Sequence, residues 1–443
     1  MLAPEYPASW QSVRLRFVCD FNPSKRQIAG LDPSVTVSFV PMEKVSEDGA
    51  LQLDDDRPIY AVSNGFTFFA EGDVVVAKIT PCFENGKGAE CRGLTNGIGF
   101  GTTEFHVLRS KHLDSRFLFY LTASDPFRTI GATEMSGAAG QKRVPESFLQ
   151  NLIVPVPPLP LQRRIAAYLD RETARIDALV AEKEELLRLL EEKRASLISH
   201  AVTRGLSGVA SAKTGLDPNA KLKPSGIPWL GEVPEHWELK ELRHIAAKGT
   251  KITYGIVQAG PDIPDGIPYI RTSDMSGDFL AEDGYQKTSA EIDQSYARSR
   301  VYEGDMVISI RASVGKTLSV PKYLNGANLT QGTAKVSPGE RIVSRFLFHW
   351  MNSHPVQRYL GSISKGTTFK EITLDMLRRT PILVPPDEEQ KRIALSCDRS
   401  LEVFRSLNKG IKTSIALLRE KRSSLISAAV TGGDGGYLTS MPQ

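Results

Sequence analysis

The chain has 443 residues, 41% hydrophobic and 24% charged, with a formal charge of +4. That composition excludes a disordered chain and leaves room for two or three domains. So small a positive balance neither demands nor excludes a nucleic-acid partner.

The first residues, MLAPEYPASWQ, lack the basic and then apolar pattern of a secretory leader. Residues 1–158 carry short strand-like runs such as 73–80 and 103–110, parted by Gly, Asn and Pro turns, with a helix predicted near 115–125. Pro157 and Pro158 then open a long helical stretch, 159–205, which Gly205 closes. Steps of 4, 3, 4, 3 run through Ile165, Leu169, Glu172, Ile176, Leu179, Lys183, Leu186, Leu190, Lys193 and Leu197. Seven of those ten are apolar, which predicts a coiled-coil seam. Residues 206–230 are small, polar and Pro/Gly-containing, and read as a linker. A second domain, 231–386, again has strand-like runs (305–312 is one) and a helix predicted at 344–352. A second long helix, 387–432, has its seam at Ile393, Cys397, Ser400, Phe404, Leu407, Ile411, Ser414, Leu418, Lys421 and Leu425, before a tail, 433–443. No apolar run approaches the roughly 20 residues of a membrane helix. Cys19, Cys82, Cys91 and Cys397 show no CxxC spacing, which suits free thiols in a reducing cytoplasm.

The two halves are copies of one unit. EKRASLISHAVTRG (192–205) and EKRSSLISAAVTGG (420–433) share eleven of fourteen letters at an offset of 228 residues. The offset also maps Pro157 and Pro158 onto Pro385 and Pro386, Gln162 onto Gln390 and Asp170 onto Asp398. The expected fold is therefore α/β (α+β): two similar globular domains separated by two long antiparallel coiled-coil helices, with an internal pseudo-two-fold. Helices of this length extend about 60 Å, beyond a domain of this size.

Motifs for catalysis are broken. VGKT (314–317) has Ile310 where a phosphate loop needs its first glycine. NGIGFG (96–101) leads into a strand-like run instead of a dinucleotide-binding helix. There is no HExxH, no GxSxG and no NPPY-type tetrapeptide. The acids of PDEEQK (386–391) read as complements to a helix dipole.

Two globular units, each followed by PPxxxQxxIA and a helix ending in EKRxSLISxAVTxG, are the main features. SGIPWLGEVPEHW (225–237) opens the second unit, and the segments 136–158 and 365–386 close each domain. This arrangement resembles the specificity subunit of type I restriction–modification enzymes along nearly the whole chain. The resemblance implies a non-catalytic DNA reader whose two target recognition domains each read half of a bipartite, asymmetric sequence. It further implies that the helices act as a ruler and dock two modification (methyltransferase) subunits, and that S-adenosylmethionine, ATP and Mg2+ are used by the methyltransferase and restriction/translocase partners. The helices and their junctions are expected to recur because both present the same surface to identical partners. The competing reading is a coiled-coil protein-interaction scaffold without DNA specificity.

Residues 1–160 hold 15 basic and 18 acidic side chains, so DNA affinity there needs a local cluster. Gln141, Lys142 and Arg143, beside the small-residue loop 136–140, are the candidates. In the second domain they are Lys365, Thr367, Thr368 and Lys370, with Tyr254, Arg271, Arg311, Lys316 and Gln331 as further candidates. Arg and Gln can read base edges, and Lys more often holds phosphate. Gln162, Arg164, Trp229, Trp237, Gln390 and Arg392 are the candidate partner-docking residues.

Overall fold

The computed structural model describes residues 7–138, 140–206, 210–211, 214–217, 220–366 and 370–433. The chain divides into two units, Met1–Glu184 with Lys412–Gln443, and Glu185–Ile411.

In unit 1, β-branched and aromatic runs form the strands. Cys19–Phe21, Phe105–Ser110, Val74–Ala77 and Gly88–Glu90 make one antiparallel sheet in that order. Asp56–Pro58, Thr36–Val40, Ile98–Gly101 and Thr67–Ala70 make another, in which Thr36–Val40 and Ile98–Gly101 run parallel. Val74–Ala77 and Ile98–Gly101 are buried along their whole length, so neither shows an in–out alternation. Gln11–Arg14 pairs with Ile153–Val156, which returns the chain to its start just before Pro157.

Unit 2 repeats this plan. One sheet is ordered Thr253–Tyr254, Thr333–Val336, Met306–Ser309 and Thr317–Ser319. A second is ordered Lys287–Thr288, Ile267–Ile270 and Asn328–Leu329, the last two strands being parallel. Glu238–Glu241 pairs with Pro381–Val384. Leu222–Pro224, within the segment 206–230 that reads as a linker, pairs with Glu232–Pro234 at the start of the second domain.

The long helices are Leu159–Arg204 and Asp387–Thr431. Both are rich in strong helix formers. Asp387, Glu388 and Glu389 complement the N-terminal dipole of the second. Gly205 and Gly432 follow the last turns at φ of +86° and +70°, a left-handed conformation that glycine adopts without strain.

Each domain core is sealed by both helices. In unit 1, Ile165, Leu169 and Ile176 of the first helix and Leu425, Ile426, Ala429 and Val430 of the second are buried in one cluster with Trp10, Leu15 and Phe117. In unit 2, Ala201 and Val202 of the first helix join Ile393, Ala394 and Cys397 of the second, around Trp237, Phe346 and Trp350. The start of each long helix closes its own domain, and its end, the repeated phrase, closes the other. That is a nearer reason for the repeat than a shared partner surface: Ile198, Ala201 and Val202 and their counterparts Ile426, Ala429 and Val430 fill equivalent sites.

Within unit 1 the helices are antiparallel, since Arg422 pairs with Asp177 (2.9 Å) and Arg419 with Glu184 (2.8 Å). The seam differs from the expected one. Leu179, Leu186, Leu197 and Leu407 are exposed. The covered positions are Leu169, Thr173, Ile176, Val180, Lys183, Leu187, Leu190 and Arg194, and on the second helix Cys397, Leu401, Phe404, Asn408, Ile411, Ile415, Leu418, Arg422 and Leu425. The spacing of 4 and 3 is kept, but every second position moves by one residue. Neighbouring apolar pairs such as Leu179–Val180 and Leu186–Leu187 satisfy either phase, and packing against the domains selects one.

Candidate nucleic-acid interface

The buried strand Val74–Ala77 runs on into Lys78 and Ile79, where a hairpin is pinned beside it. The Val144 amide donates to the Lys78 carbonyl (2.8 Å) and the Thr80 amide to the Lys142 carbonyl (3.0 Å). Ser136 and Arg143 exchange backbone bonds of 3.1 and 2.9 Å, so Gly137, Ala138 and Gly140–Lys142 belong to the tip. Gly137 opens it at φ +144°, and a Cβ there would lie 2.5 Å from the Gln141 carbonyl oxygen. Gln141, Lys142 and Arg143 are all exposed. The guanidinium of Arg143 grips Glu104 with Nε to Oε2 at 2.9 Å and Nη2 to Oε1 at 2.7 Å. That bond holds the Glu104 carboxyl below the usual range. Gln141 and Lys142 use their side chains on no partner among the described residues.

Unit 2 contains the equivalent hairpin. Met306–Ser309 runs on into Ile310 and Arg311, the Ile372 amide donates to the Ile310 carbonyl (3.0 Å), and the Ala312 amide donates to the Lys370 carbonyl (2.9 Å). Lys365 and Glu371 exchange backbone bonds of 2.9 Å each, as Ser136 and Arg143 do. Here Glu371 is on the hairpin and Arg311 on the strand extension, paired at 3.2 Å. Lys365 and Lys370 are exposed, while Thr367 and Thr368 lie outside the described residues.

Three of the further candidates converge beside this hairpin. The Ile310 amide donates to the Gly332 carbonyl (2.9 Å), and a Cβ on Gly332 would meet Thr272 Oγ1 at 2.5 Å and Arg311 Cβ at 3.9 Å. Arg271, Arg311 and Gln331 therefore flank one spot. Arg271 is oriented by Asp274, through Nε to Oδ2 at 3.1 Å and Nη2 to Oδ1 at 2.9 Å. Tyr254 is exposed on the sheet edge opposite Ala334. Lys316 stands apart from this group and lines a cavity against the long helices.

The docking candidates divide. Gln162 and Gln390 are buried and bonded internally, which places them away from any docking surface. Gln162 accepts from the Asp114 amide (2.8 Å) and donates to the Pro157 carbonyl (2.8 Å). Gln390 accepts from the Val343 amide (2.7 Å) and donates to the Pro385 and Arg341 carbonyls (2.8 and 3.1 Å). Each glutamine latches the start of a long helix onto its own domain. Trp237 is a core residue, 1% exposed. Trp229 stacks on Tyr359 with centroids 5.0 Å apart. Arg164 and Arg392 are exposed, and Arg392 donates to the Thr214 carbonyl (2.9 Å).

Two features beyond those candidates emerge from the fold. Glu104 restrains the hairpin residue Arg143, and Glu371 on the other hairpin restrains Arg311; neither pair shows in the sequence, because its members lie tens of residues apart. A second pair of clusters ties domain to helix at Asp170 and Asp398, which the 228-residue offset relates. In unit 1, Arg116 Nε (2.5 Å) and Tyr120 Oη (2.7 Å) donate to Asp170. In unit 2, Arg345 and the buried His349 donate to Asp398, His349 Nε2 at 2.8 Å.

Among the described residues no helix is long and apolar enough to cross a membrane, and no group of three or more His, Cys, Asp or Glu is placed to hold a metal. The family model described as the type I restriction modification DNA specificity domain matches residues 63–188 and 234–417. The chain belongs to that family. It is 29% identical over 296 residues to the type I restriction enzyme EcoBI specificity subunit of Escherichia coli, covering 66% of this chain and 60% of that one. It is 42% identical over 165 residues to the EcoAI specificity subunit of the same species, covering 36% and 27%. The chain thus spans less than two thirds of either relative. The fold is shared with a chain from a structure of complex assembly and conformational transition in the type I R-M system, at a TM-score of 0.77 and 20% identity over 97% and 100% of the two chains. The HsdS subunit from Thermoanaerobacter tengcongensis is also similar, at a TM-score of 0.56 and 20% identity over 97% and 98%.

Proposed function

We propose that this chain is the non-catalytic specificity subunit of a type I restriction–modification complex. Each domain reads one half of a bipartite, asymmetric duplex target. The observation that carries this reading is the pair of equivalent hairpins: one backbone arrangement at the end of the same buried strand, bearing different side chains. A repeated backbone suits two similar half-sites on one duplex, and different side chains suit different bases. Arg143 and Gln141 in one domain, and Arg311, Arg271 and Gln331 in the other, contact base edges. Lys142, Lys365 and Lys370 hold phosphates, with Thr367, Thr368 and Tyr254 completing the second surface.

The long helices set the spacing of the half-sites and dock two methyltransferase subunits. Leu179, Leu186 and Leu189 on the first helix and Val403, Leu407 and Leu417 on the second support this, because they leave apolar side chains uncovered. S-adenosylmethionine, ATP and Mg2+ serve those subunits and the restriction/translocase subunits, in the cytoplasm. The test is a genome-wide map of N6-methyladenine in the source cell with and without this chain. Loss of one split, asymmetric motif on deletion is expected. A map that keeps every motif would overturn the reading.

A further inference from the structure

The repeat leaves one charge without its counterpart. In unit 1, Arg422 Nε donates to both oxygens of Asp177 (2.9 and 3.2 Å). The residue 228 positions before Arg422 is Arg194, and the residue 228 positions after Asp177 is Arg405. Unit 2 therefore has a cation where unit 1 has the anion. Arg194 binds Glu191 through Nη2, but its Nε is buried and has no hydrogen-bond partner among the described residues. A buried N–H left unpaired is costly, and more so on a charged group.

Arg194 and Arg405 line one cavity of about 300 Å³ in unit 2, together with Lys316, Asn352, His354 and Asp278. Arg405 lies over the exposed Phe279 ring, 4.6 Å from its centroid, and has no ion pair among the described residues. Lys316 has none either, whereas Lys87, which holds the matching place in unit 1 by strand register, donates to the Met42 carbonyl (3.3 Å). Three cations thus face a cavity with one carboxylate, Asp278. The matching cavity of unit 1 sets Arg128, Arg419 and Arg422 against Glu47, Asp48, Asp177 and Glu184.

We propose that the unit 2 cavity binds a phosphate group, with the two guanidinium groups forking its oxygens and Lys316 adding a point charge. The volume admits a ligand up to about the size of a mononucleotide. The site stands whether or not the hairpins read DNA. The phosphate comes from a small nucleotide, from inorganic phosphate or from a DNA backbone, and the test separates these.

Calorimetric titration of the full chain with inorganic phosphate, at ionic strength held constant with chloride, should show one saturable site. Arg405→Asp recreates the unit 1 pairing with Arg194 and should weaken binding at least tenfold without lowering the melting temperature. Arg405→Gln gives a second variant if that chain misfolds, and Lys316→Ala should weaken binding less. Adenosine monophosphate binding tighter than phosphate would assign a nucleotide. Release of bound phosphate by a duplex would assign a DNA backbone, and neither effect would leave inorganic phosphate as the ligand. No saturable binding by the wild-type chain, or equal binding by the Arg405 variants, would overturn the proposal.

Discussion

In unit 1 the hairpin carries the cation, Arg143, and a neighbouring loop carries the anion, Glu104. In unit 2 the hairpin carries the anion, Glu371, and the strand extension carries the cation, Arg311. Elsewhere the units differ without such an exchange: Asp177 of unit 1 is replaced by Arg405 of unit 2 while the partner positions Arg422 and Arg194 both stay cationic, and Tyr120 gives way to His349 beside the equivalent aspartate. Backbone bonds and apolar contacts repeat, while side chains facing water or a cavity do not. Burial tolerates few alternatives, because a core packs at crystal-like density. A charge at the surface can be reversed once its partner is reversed too.

The largest test of that comparison concerns the repeated phrase itself. Leu425 is 4% exposed in unit 1, whereas its counterpart Leu197 is 42% exposed. Leu425→Ala should cost about 2–5 kcal/mol, and Leu197→Ala about 0.5 kcal/mol or less. Urea unfolding with hydrogen exchange of unit 1 amides for Leu425→Ala and unit 2 amides for Leu197→Ala checks this; equal costs would break the asymmetry. The glutamine latches should behave alike instead. Gln390→Ala leaves the Val343 amide and two carbonyls unpaired, and Gln162→Ala does the same to the Asp114 amide, so each should cost about 1–3 kcal/mol.

A smaller effect belongs to the hairpins. Lys142→Ala with Arg143→Ala should lower target affinity on the order of tenfold and flatten its salt dependence. Titrations of a labelled target duplex at several salt concentrations decide this, and unchanged values would remove the hairpin from the interface. Copying the unit 2 polarity into unit 1, with Glu104→Arg and Arg143→Glu, should alter one methylated half-site and leave the other intact.

The smallest effect is the acid sensitivity that His349 gives unit 2. Burial pushes the His349 ring below its ordinary range, against the hydrogen bond to Asp398 that favours its charged form. Burial alone would raise Asp398, but the bonds from His349 and Arg345 outweigh it and bring the carboxyl down to about 2. Both folded values lie below the unfolded ones, so both groups contribute stability that is lost as pH falls. The loss begins near pH 6.5 for His349 and near pH 4 for Asp398. Tyr120 is pushed up to about 12 by burial, so its contribution is lost only as pH rises above about 10. Unit 2 should therefore weaken as pH falls below about 6.5. Unit 1 holds its own buried histidine, His106, also pushed below its ordinary range by burial, so His349→Tyr should reduce the acid loss of unit 2 and leave that of unit 1 unchanged. Hydrogen exchange at several pH values reports each unit, and an acid loss of unit 2 that His349→Tyr leaves unchanged would contradict the assignment.

The sequence alone determined the two-copy plan, the long helices and the segments that close each domain, because those depend on periodicity and on Pro and Gly at the ends. It also picked out residues 141–143 and 365–370, but not that they are equivalent hairpins. That rests on backbone pairing with strands more than 50 residues away. Tertiary structure alone chose between the two seam phases, since Leu179 and Val180 are equally apolar and only burial separates them. It also assigned Gln162, Gln390 and Trp237 to the interior, where amide and carbonyl groups need partners that no local pattern shows. The orphaned Nε of Arg194 needed both sources, the repeat to name its missing partner and the fold to place Arg405 in the same cavity.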